Sequence, residues 1–260
     1  MHLLQRLFLL LSCSFFLAFN VFAEEPDWKP YAEVLQTVSP GTKHGTQLAL
    51  VDYPALKDNG KLAAAYQQLS QFPPSRLSSR EEKLAFYINA YNILALKMVV
   101  DHFPLDSIKD VGSFFNPVWD RPAGTINGKT VSLGEIEHKI LRPLGEPRIH
   151  LAIVCASVSC PDLRNEPYTA ARLDTQLNEQ AKKFLLNEHK GLRIDKKQIH
   201  ISKIFNWFEK DFKKTGGVEH FIRQYQPQLP ALSIAADMPY DWSLNGIAQP
   251  VNKQVSLTPR

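Results

Sequence analysis

The sequence predicts a helix-rich α+β fold, one domain with a small sheet. Three observations carry this. Residues 81–102 contain no Gly or Pro and place Leu84, Tyr87, Ile88, Tyr91, Leu94, Ala95, Met98 and Val99 at helical spacing. Short strand-like runs stand between loop-rich stretches, the clearest around Asn127-Gly128, a preferred hairpin turn. The chain has 260 residues, 44% hydrophobic and 22% charged, which is enough for a sizeable core. The same composition excludes a disordered tail, a collagen-like chain and a disulfide-dense mini-protein. The net charge of +4 is too small to argue nucleic-acid binding.

At the N-terminus, Arg6 precedes an almost wholly apolar run over residues 7–22, and Val21 and Ala23 sit at the −3 and −1 positions of a cleavage site. This pattern predicts a secretory signal peptide, residues 1–23, cleaved after Ala23. An uncleaved anchor or a lipoprotein site at Cys13 fits less well, because the run is slightly short for a span and continues well past Cys13. Cleavage leaves a net charge of +3 and two cysteines, Cys155 and Cys160. The expected product is a periplasmic or secreted protein in an oxidising compartment, with no further transmembrane span.

Residues 24–80 read as an N-terminal helical extension, with one helix over residues 61–70 burying Leu62, Ala65, Tyr66 and Leu69. Ser79 and Glu82 form a capping box for the long helix, which Phe103-Pro104 ends. Phe86, Ile93 and Val100 lie off its main stripe, so it is expected to be buried on more than one side. Residues 125–131 read as a hairpin, and Ser132 and Glu135 as a second capping box opening a helix that ends before Pro143. Residues 148–155 are almost continuously apolar and predict a short strand buried on both faces. An amphipathic helix over residues 169–187, a polar hairpin over 192–201 and an aromatic helical cluster over 204–212 follow. Residues 240–245 look like a docking segment that closes the core, and 246–260 show no pattern and are expected to fray. Residues 81–245 therefore form the expected core domain.

The candidate chemistry lies mid-chain. Glu137 interrupts the apolar stripe Leu133, Ile136, Ile140 and Leu141, where a carboxylate needs a partner. It reads either as a structural ion pair with Arg142 or Arg148, or as an orienting or acid–base group. His138 falls off the stripe and could reach a cleft or be solvated. His150, thirteen residues after Glu137, is either a satisfied core histidine or a general base paired with that carboxylate. The small-residue turn from Cys155 to Pro161 follows, with Ser159 inside it and backbone amides at 156–159 that could hold an oxyanion. Cys155 and Cys160 are either a disulfide or hold a thiolate nucleophile activated by His150. With one histidine they make only a weak metal signal, and no metal or cofactor is expected. Asn89 and Asn92, one turn apart, offer amides either to a ligand or to a buried hydrogen-bond network.

Five blocks together resemble the domain-of-unknown-function 547 family: residues 86–92, 135–142, 148–150, 155–161 and 241–245. The resemblance runs from about residue 80 to 245. It implies a bacterial exported protein, and related domains occur in eukaryotic proteins, some fused to redox-type domains. Eukaryotic relatives can carry Asp at the position of Cys160 and other residues at that of Cys155. The resemblance therefore implies that a thiol nucleophile is not general to the family, whereas a site on Glu137, His150 and Ser159 could be. Two functions follow as expectations. One is an exported hydrolase or transferase acting on an amide or ester through Glu137, His150, Cys155 and Cys160. The other is a non-catalytic binding module for a small-molecule or peptide ligand of the envelope, with a structural Cys155–Cys160 disulfide.

Overall fold

The computed structural model describes residues 25–247. The expected signal peptide, Cys13, and residues 248–260 of the expected tail lie outside the described residues. Residues 25–80 fold as α1 (Lys29–Leu35), β1 (Ser39–Lys43), β2 (Thr46–Leu50), α2 (Tyr53–Asp58) and α3 (Lys61–Gln71). α3 buries Leu62, Ala65 and Leu69, three of the four positions read from the sequence. The β1–β2 hairpin has no sequence signal, because β1 reads SPGTK and is mostly exposed, so it shows no alternation. Tyr31, Val34 and Leu35 of α1 and Leu56 of α2 join the main core, packed with the long helix α4 (Arg80–His102).

The capping box that starts α4 forms as expected. Glu82 N–H donates to Ser79 Oγ at 3.1 Å, and Glu82 Oε2 accepts the Ser79 N–H at 3.1 Å. Sixteen of the 23 residues of α4 are buried, so neighbours surround it, as its off-stripe apolar residues require. α4 has the length and hydropathy of a membrane span, but 78% of the relevant window lies inside the fold, which makes it a core helix. β3 (Pro122–Ile126) and β4 (Lys129–Ser132) pair around Asn127-Gly128, whose φ angles of 48° and 76° are those of the expected tight turn.

Two elements differ from expectation. Residues 135–141 form π-helix, not α-helix. Ser132 Oγ does accept the Glu135 N–H, but the Glu135 carboxylate turns to Lys129 Nζ at 2.9 Å rather than closing the capping box. The wider turn carries the Arg142 N–H back to the Glu137 carbonyl, so Arg142 stands one turn above Glu137. The expected strand over 148–155 is a 3₁₀ turn, Pro147–Leu151, followed by irregular chain. Pro147 sits at its first position, and the Glu146 side chain accepts the Arg148 N–H and grips the Arg148 guanidinium. A short apolar run has the same pattern as a buried strand or a buried turn, and residues 147–151 belong to none of the sheets among the described residues.

The rest of the chain builds a second hydrophobic cluster. α5 (Leu173–Leu185) packs against β5 (Leu192–Ile194), β6 (Gln198–Ile201), α6 (Ile204–Trp207), α7 (Glu209–Phe212) and α8 (Gly217–Tyr225). β5 and β6 form the expected hairpin, and β7 (Ser233–Ala235) adds a parallel third strand. The fold is thus helix-rich α+β with three small sheets of two or three strands. Residues 240–245 dock on the turn at 156–159: Val158 N–H donates to Ser243 O, Ser159 N–H to Asp241 O, and Asn245 N–H to Ala156 O. The chain goes on to Gly246 and Ile247, which pair with Val51.

Asn92 ties these parts together. Its Oδ1 accepts the Val154 N–H at 2.8 Å and its Nδ2 donates to Ala152 O at 3.1 Å, all within the core. Asn89 makes the same double contact with the Tyr168 backbone. Replacing Asn92 leaves a buried donor and acceptor without partners. Asn92→Ala should lower unfolding free energy by about 2–3 kcal/mol, read from the urea midpoint. A change under about 0.5 kcal/mol, the range of neutral surface substitutions, would show that the clamp carries no stability.

Candidate functional site

Glu137, His138, His150, Cys155 and Cys160 line one cavity of about 280 Å³. It lies where the two hydrophobic clusters meet, with Tyr91 and Trp119 on one side and Phe208 and Tyr240 on the other. Trp207, Tyr240 and Trp242 form an aromatic wall, their ring centroids 4.6–5.8 Å apart. A larger open cleft of about 990 Å³ separates β1–β2 from the end of α5, but neither cysteine lines it. Among the described residues, no group of three or more His, Cys, Asp or Glu is arranged to hold a metal ion.

The imidazole side differs from the sequence reading in its partner. His150 Nε2 lies 2.7 Å from Asp211 Oδ2, a residue of α7 that the sequence did not single out. Glu137 Oε1 faces the other ring nitrogen, Nδ1, at 3.6 Å, too far for a hydrogen bond. The carboxylate that orients His150 is therefore Asp211, and Nδ1 is buried without a hydrogen-bond partner beside Glu137. Arg142 holds Asp211 from behind through Nε at 2.7 Å and Nη2 at 3.0 Å. Burial works against the Asp211 charge, but the bonds from Arg142 and His150 prevail and hold its carboxyl below the usual range. Phe208 stacks on the His150 ring at 3.8 Å, and Arg142 lies over the Phe208 ring. The exposed His138 adds a contact from Nδ1 to Arg142 at 3.1 Å.

The sulfur side is a second polar cluster. Cys155 and Cys160 are free cysteines, so the expected disulfide is not formed, although the two Sγ atoms are 2.7 Å apart. A disulfide needs about 2.05 Å. Cys155 Sγ also lies 3.2 Å from Ser157 Oγ and 3.3 Å from the Tyr240 hydroxyl. Burial raises the Cys155 thiol, but hydrogen bonds from Cys160, the Ser157 hydroxyl, the Tyr240 hydroxyl and the Ser157 N–H outweigh it and bring the pKa down to about 7. Burial and the neighbouring Cys155 push Cys160 well above the usual thiol range. Tyr240 is pushed up by burial and by both cysteines, so it stays a neutral donor. Ala156 adopts φ 59°, in the left-handed region, and this reversal places the Ser157 donors next to Cys155.

The remaining sequence candidates stand outside the cavity. Asn89 and Asn92 form the buried clamps described above. Ser159 is buried, with its Oγ accepting the Asp241 N–H at 2.8 Å. The Val158 and Ser159 amides, read as oxyanion donors, are instead engaged by residues 240–245, which dock there like an added strand. Asp211 carried no sequence signal beyond its place in the aromatic segment 204–212. Its partners lie 61 and 69 residues away along the chain.

Fold and site together define a helix-rich α+β protein with an aromatic pocket that joins a stabilised cysteine to a carboxylate-held histidine. Residues 74–185 match the family model described as Protein of unknown function, DUF547, and this match supports the family resemblance read from the five sequence blocks. The matched residues include Glu137, His150, Cys155 and Cys160, whereas Asp211, Tyr240 and Trp242 follow them in the chain. No curated protein and no solved structure matches the chain.

The hydrogen bonds at Cys155 make its reactivity pH-dependent in a defined direction. The thiolate fraction rises with pH, so iodoacetamide labelling of Cys155 should reach half its maximal rate near pH 7. Tyr240→Phe removes a donor and should move that midpoint upward. A midpoint at the value of an ordinary thiol in the unsubstituted protein would show that the donors do not stabilise the thiolate.

Proposed function

We propose that this chain is an exported thiol-dependent hydrolase or transferase acting on an ester or amide, with Cys155 as nucleophile, His150 as proton carrier and Asp211 as the positioning residue behind it. One observation carries the reading. A cysteine whose thiolate is stabilised by Ser157 and Tyr240 shares a 280 Å³ pocket with a histidine that is pinned at Nε2 and unpartnered at Nδ1. In this scheme the Cys155 thiolate attacks the carbonyl carbon without needing a base. Negative charge then moves from sulfur to the acyl oxygen. The Ser157 and Tyr240 donors that served the thiolate stand beside it and can follow the charge. The proton that Cys155 gives up on ionising is taken by His150 at Nδ1 and passed to the leaving oxygen or nitrogen, and the attacking water or second acceptor returns one to Nδ1 as it displaces the thiolate. Asp211 keeps the ring in one orientation, with Arg142 and Phe208 fixing Asp211 and the ring plane in turn. Glu137, beside Nδ1, is placed to receive or relay that proton. The aromatic wall suits an apolar substituent of the substrate.

Export and the nature of the ligand belong to the same proposal. The N-terminal sequence supports secretion to the envelope. The pocket supports a small molecule or the side chain of a peptide as the group bound.

Hydrolysis of p-nitrophenyl butyrate tests the assignment. The protein should release a burst of nitrophenolate and leave an acylated Cys155, identified by mass spectrometry of the trapped adduct. Cys155→Ala should abolish both. Asp211→Asn should lower kcat by about 100-fold or more while leaving KM nearly unchanged, because it acts through His150. Turnover that survives in Cys155→Ala would remove the cysteine from the mechanism. Pocket binding without acylation would point to the binding-module reading instead.

A further inference from the structure

The acyl chemistry above uses Cys155 as the nucleophile and Cys160 only as a hydrogen-bonding neighbour of its sulfur. Both residues line the pocket, but Cys160 is buried, 3% exposed, while Cys155 is half-buried. No side chain separates the two sulfurs, which lie 2.7 Å apart across a turn held on one side by Asn92 and on the other by residues 240–245. Closing the bond from there takes a movement of about 0.7 Å between the sulfurs, against the roughly 2.05 Å of a disulfide. The Cys155 N–H also donates to Cys160 Sγ at 2.8 Å. That donor has no role in acyl transfer on Cys155.

We propose that Cys155 and Cys160 form a thiol–disulfide exchange couple, in which Cys155 attacks a small aliphatic disulfide entering the pocket and Cys160 resolves the mixed disulfide. The proposal rests on Cys155 being the nucleophile, as in the function proposed above, but not on any acyl substrate. In the first step the Cys155 thiolate attacks one sulfur of R–S–S–R. The Cys155–S–S–R bond forms, the substrate S–S bond breaks, and R–S⁻ leaves to take a proton from solvent. In the second step Cys160 loses its proton to solvent and attacks Cys155 Sγ. The Cys155–Cys160 bond forms and the second R–S⁻ leaves and is protonated. The protein dithiol is oxidised by two electrons and the substrate disulfide is reduced to two thiols.

The order of events follows from the geometry. An incoming disulfide reaches the half-buried Cys155 before the buried Cys160. Before reaction, burial and the adjacent Cys155 sulfur keep the Cys160 proton in place. Once Cys155 is tied up as a neutral mixed disulfide, the neighbouring negative charge is gone. The Cys155 N–H, 2.8 Å away, is then already in position to stabilise the Cys160 thiolate as it forms. The first step thus primes the second.

Bis(2-hydroxyethyl) disulfide is a suitable probe, because it is small and uncharged. The full protein is incubated with it, quenched in acid, alkylated, and mapped by peptide mass spectrometry at Cys155 and Cys160. The expected product has both residues protected from alkylation, joined to each other, with two equivalents of 2-mercaptoethanol released. Cys160→Ser and Cys160→Ala should both stop at a 2-mercaptoethanol adduct on Cys155 with one equivalent released. In Cys155→Ser, reaction at Cys160 should be at least about 100-fold slower than at Cys155 in the unsubstituted protein, because the remaining thiol is buried and the disulfide has no half-buried sulfur to meet first. A stable adduct on Cys155 of the unsubstituted protein, with Cys160 still open to alkylation, would overturn the proposal. So would rapid modification of Cys160 in Cys155→Ser. Ester hydrolysis, measured in parallel on the unsubstituted protein, separates the two readings. Exchange without acylation removes only the acyl chemistry, and acylation without the internal disulfide removes only the exchange couple.

Discussion

The two hydrogen bonds by which Asn92 holds Ala152 and Val154 are the constraint on which the site depends. The chain from Pro147 to Cys160 has no strand or long helix of its own. A backbone segment buried without regular structure must find partners for its polar groups one by one. Asn92 supplies two of them from the most deeply buried helix in the fold, and residues 240–245 supply three more from the other side. His150 and Cys155 stand at the two ends of this clamped segment, so their separation is fixed by α4 and the closing segment rather than by the turn itself.

Within the pocket the polar groups form two clusters with opposite tasks. Around Cys155, neutral donors gather on a sulfur and favour its charged form against burial. Around His150, a guanidinium, a carboxylate and a stacked phenyl ring fix one imidazole in place. Each cluster carries a group that leaves it incomplete. The first holds a thiol that is half-buried, and the second holds a ring nitrogen and a carboxylate 3.6 Å apart without a hydrogen bond between them. Unpaired polar groups in a largely apolar site cost stability, and such costs collect where a ligand completes the pairing. Trp207, Tyr240 and Trp242 pack on one another as an apolar wall beside both clusters.

What the sequence made legible was decided by whether a signal is local. The capping box at Ser79 and Glu82, the stripe of α4 and the Asn127-Gly128 turn are settled by residues within a few positions of each other, and all three appear in the structure. The 148–155 segment failed because a run of apolar residues is compatible with strand and turn alike, and only the Glu146–Arg148 contact and Pro147 select the turn. The π-helix failed because an apolar stripe does not report whether a turn closes after four residues or five. For the site, the grouping of Glu137, His150, Cys155 and Cys160 was readable from interrupted apolar patterns near one another in the chain. Asp211 was not, because Glu209 is an acid of the same kind two positions away, and only the fold turns Asp211, 21% exposed against 58% for Glu209, toward His150.

The division of labour along the chain bears on how such a site can vary. The segment that matches the family supplies the cysteines, the histidine and Glu137. The groups that tune them, Asp211 on the imidazole and Tyr240 on the sulfur, come from later in the chain. Tyr240 reaches Cys155 because residues 241–245 are bonded to the same turn that carries the sulfur, so tuning of the thiol and docking of the closing segment are one structural event. Asp211 reaches His150 because Phe208 and Phe212 anchor α7 on either side of it, Phe208 by stacking on the ring itself. No bond in the Arg142–Asp211–His150 array involves sulfur, so the array does not depend on Cys155. The lowered pKa of Cys155, by contrast, comes from donors gathered by the closing segment and its own turn.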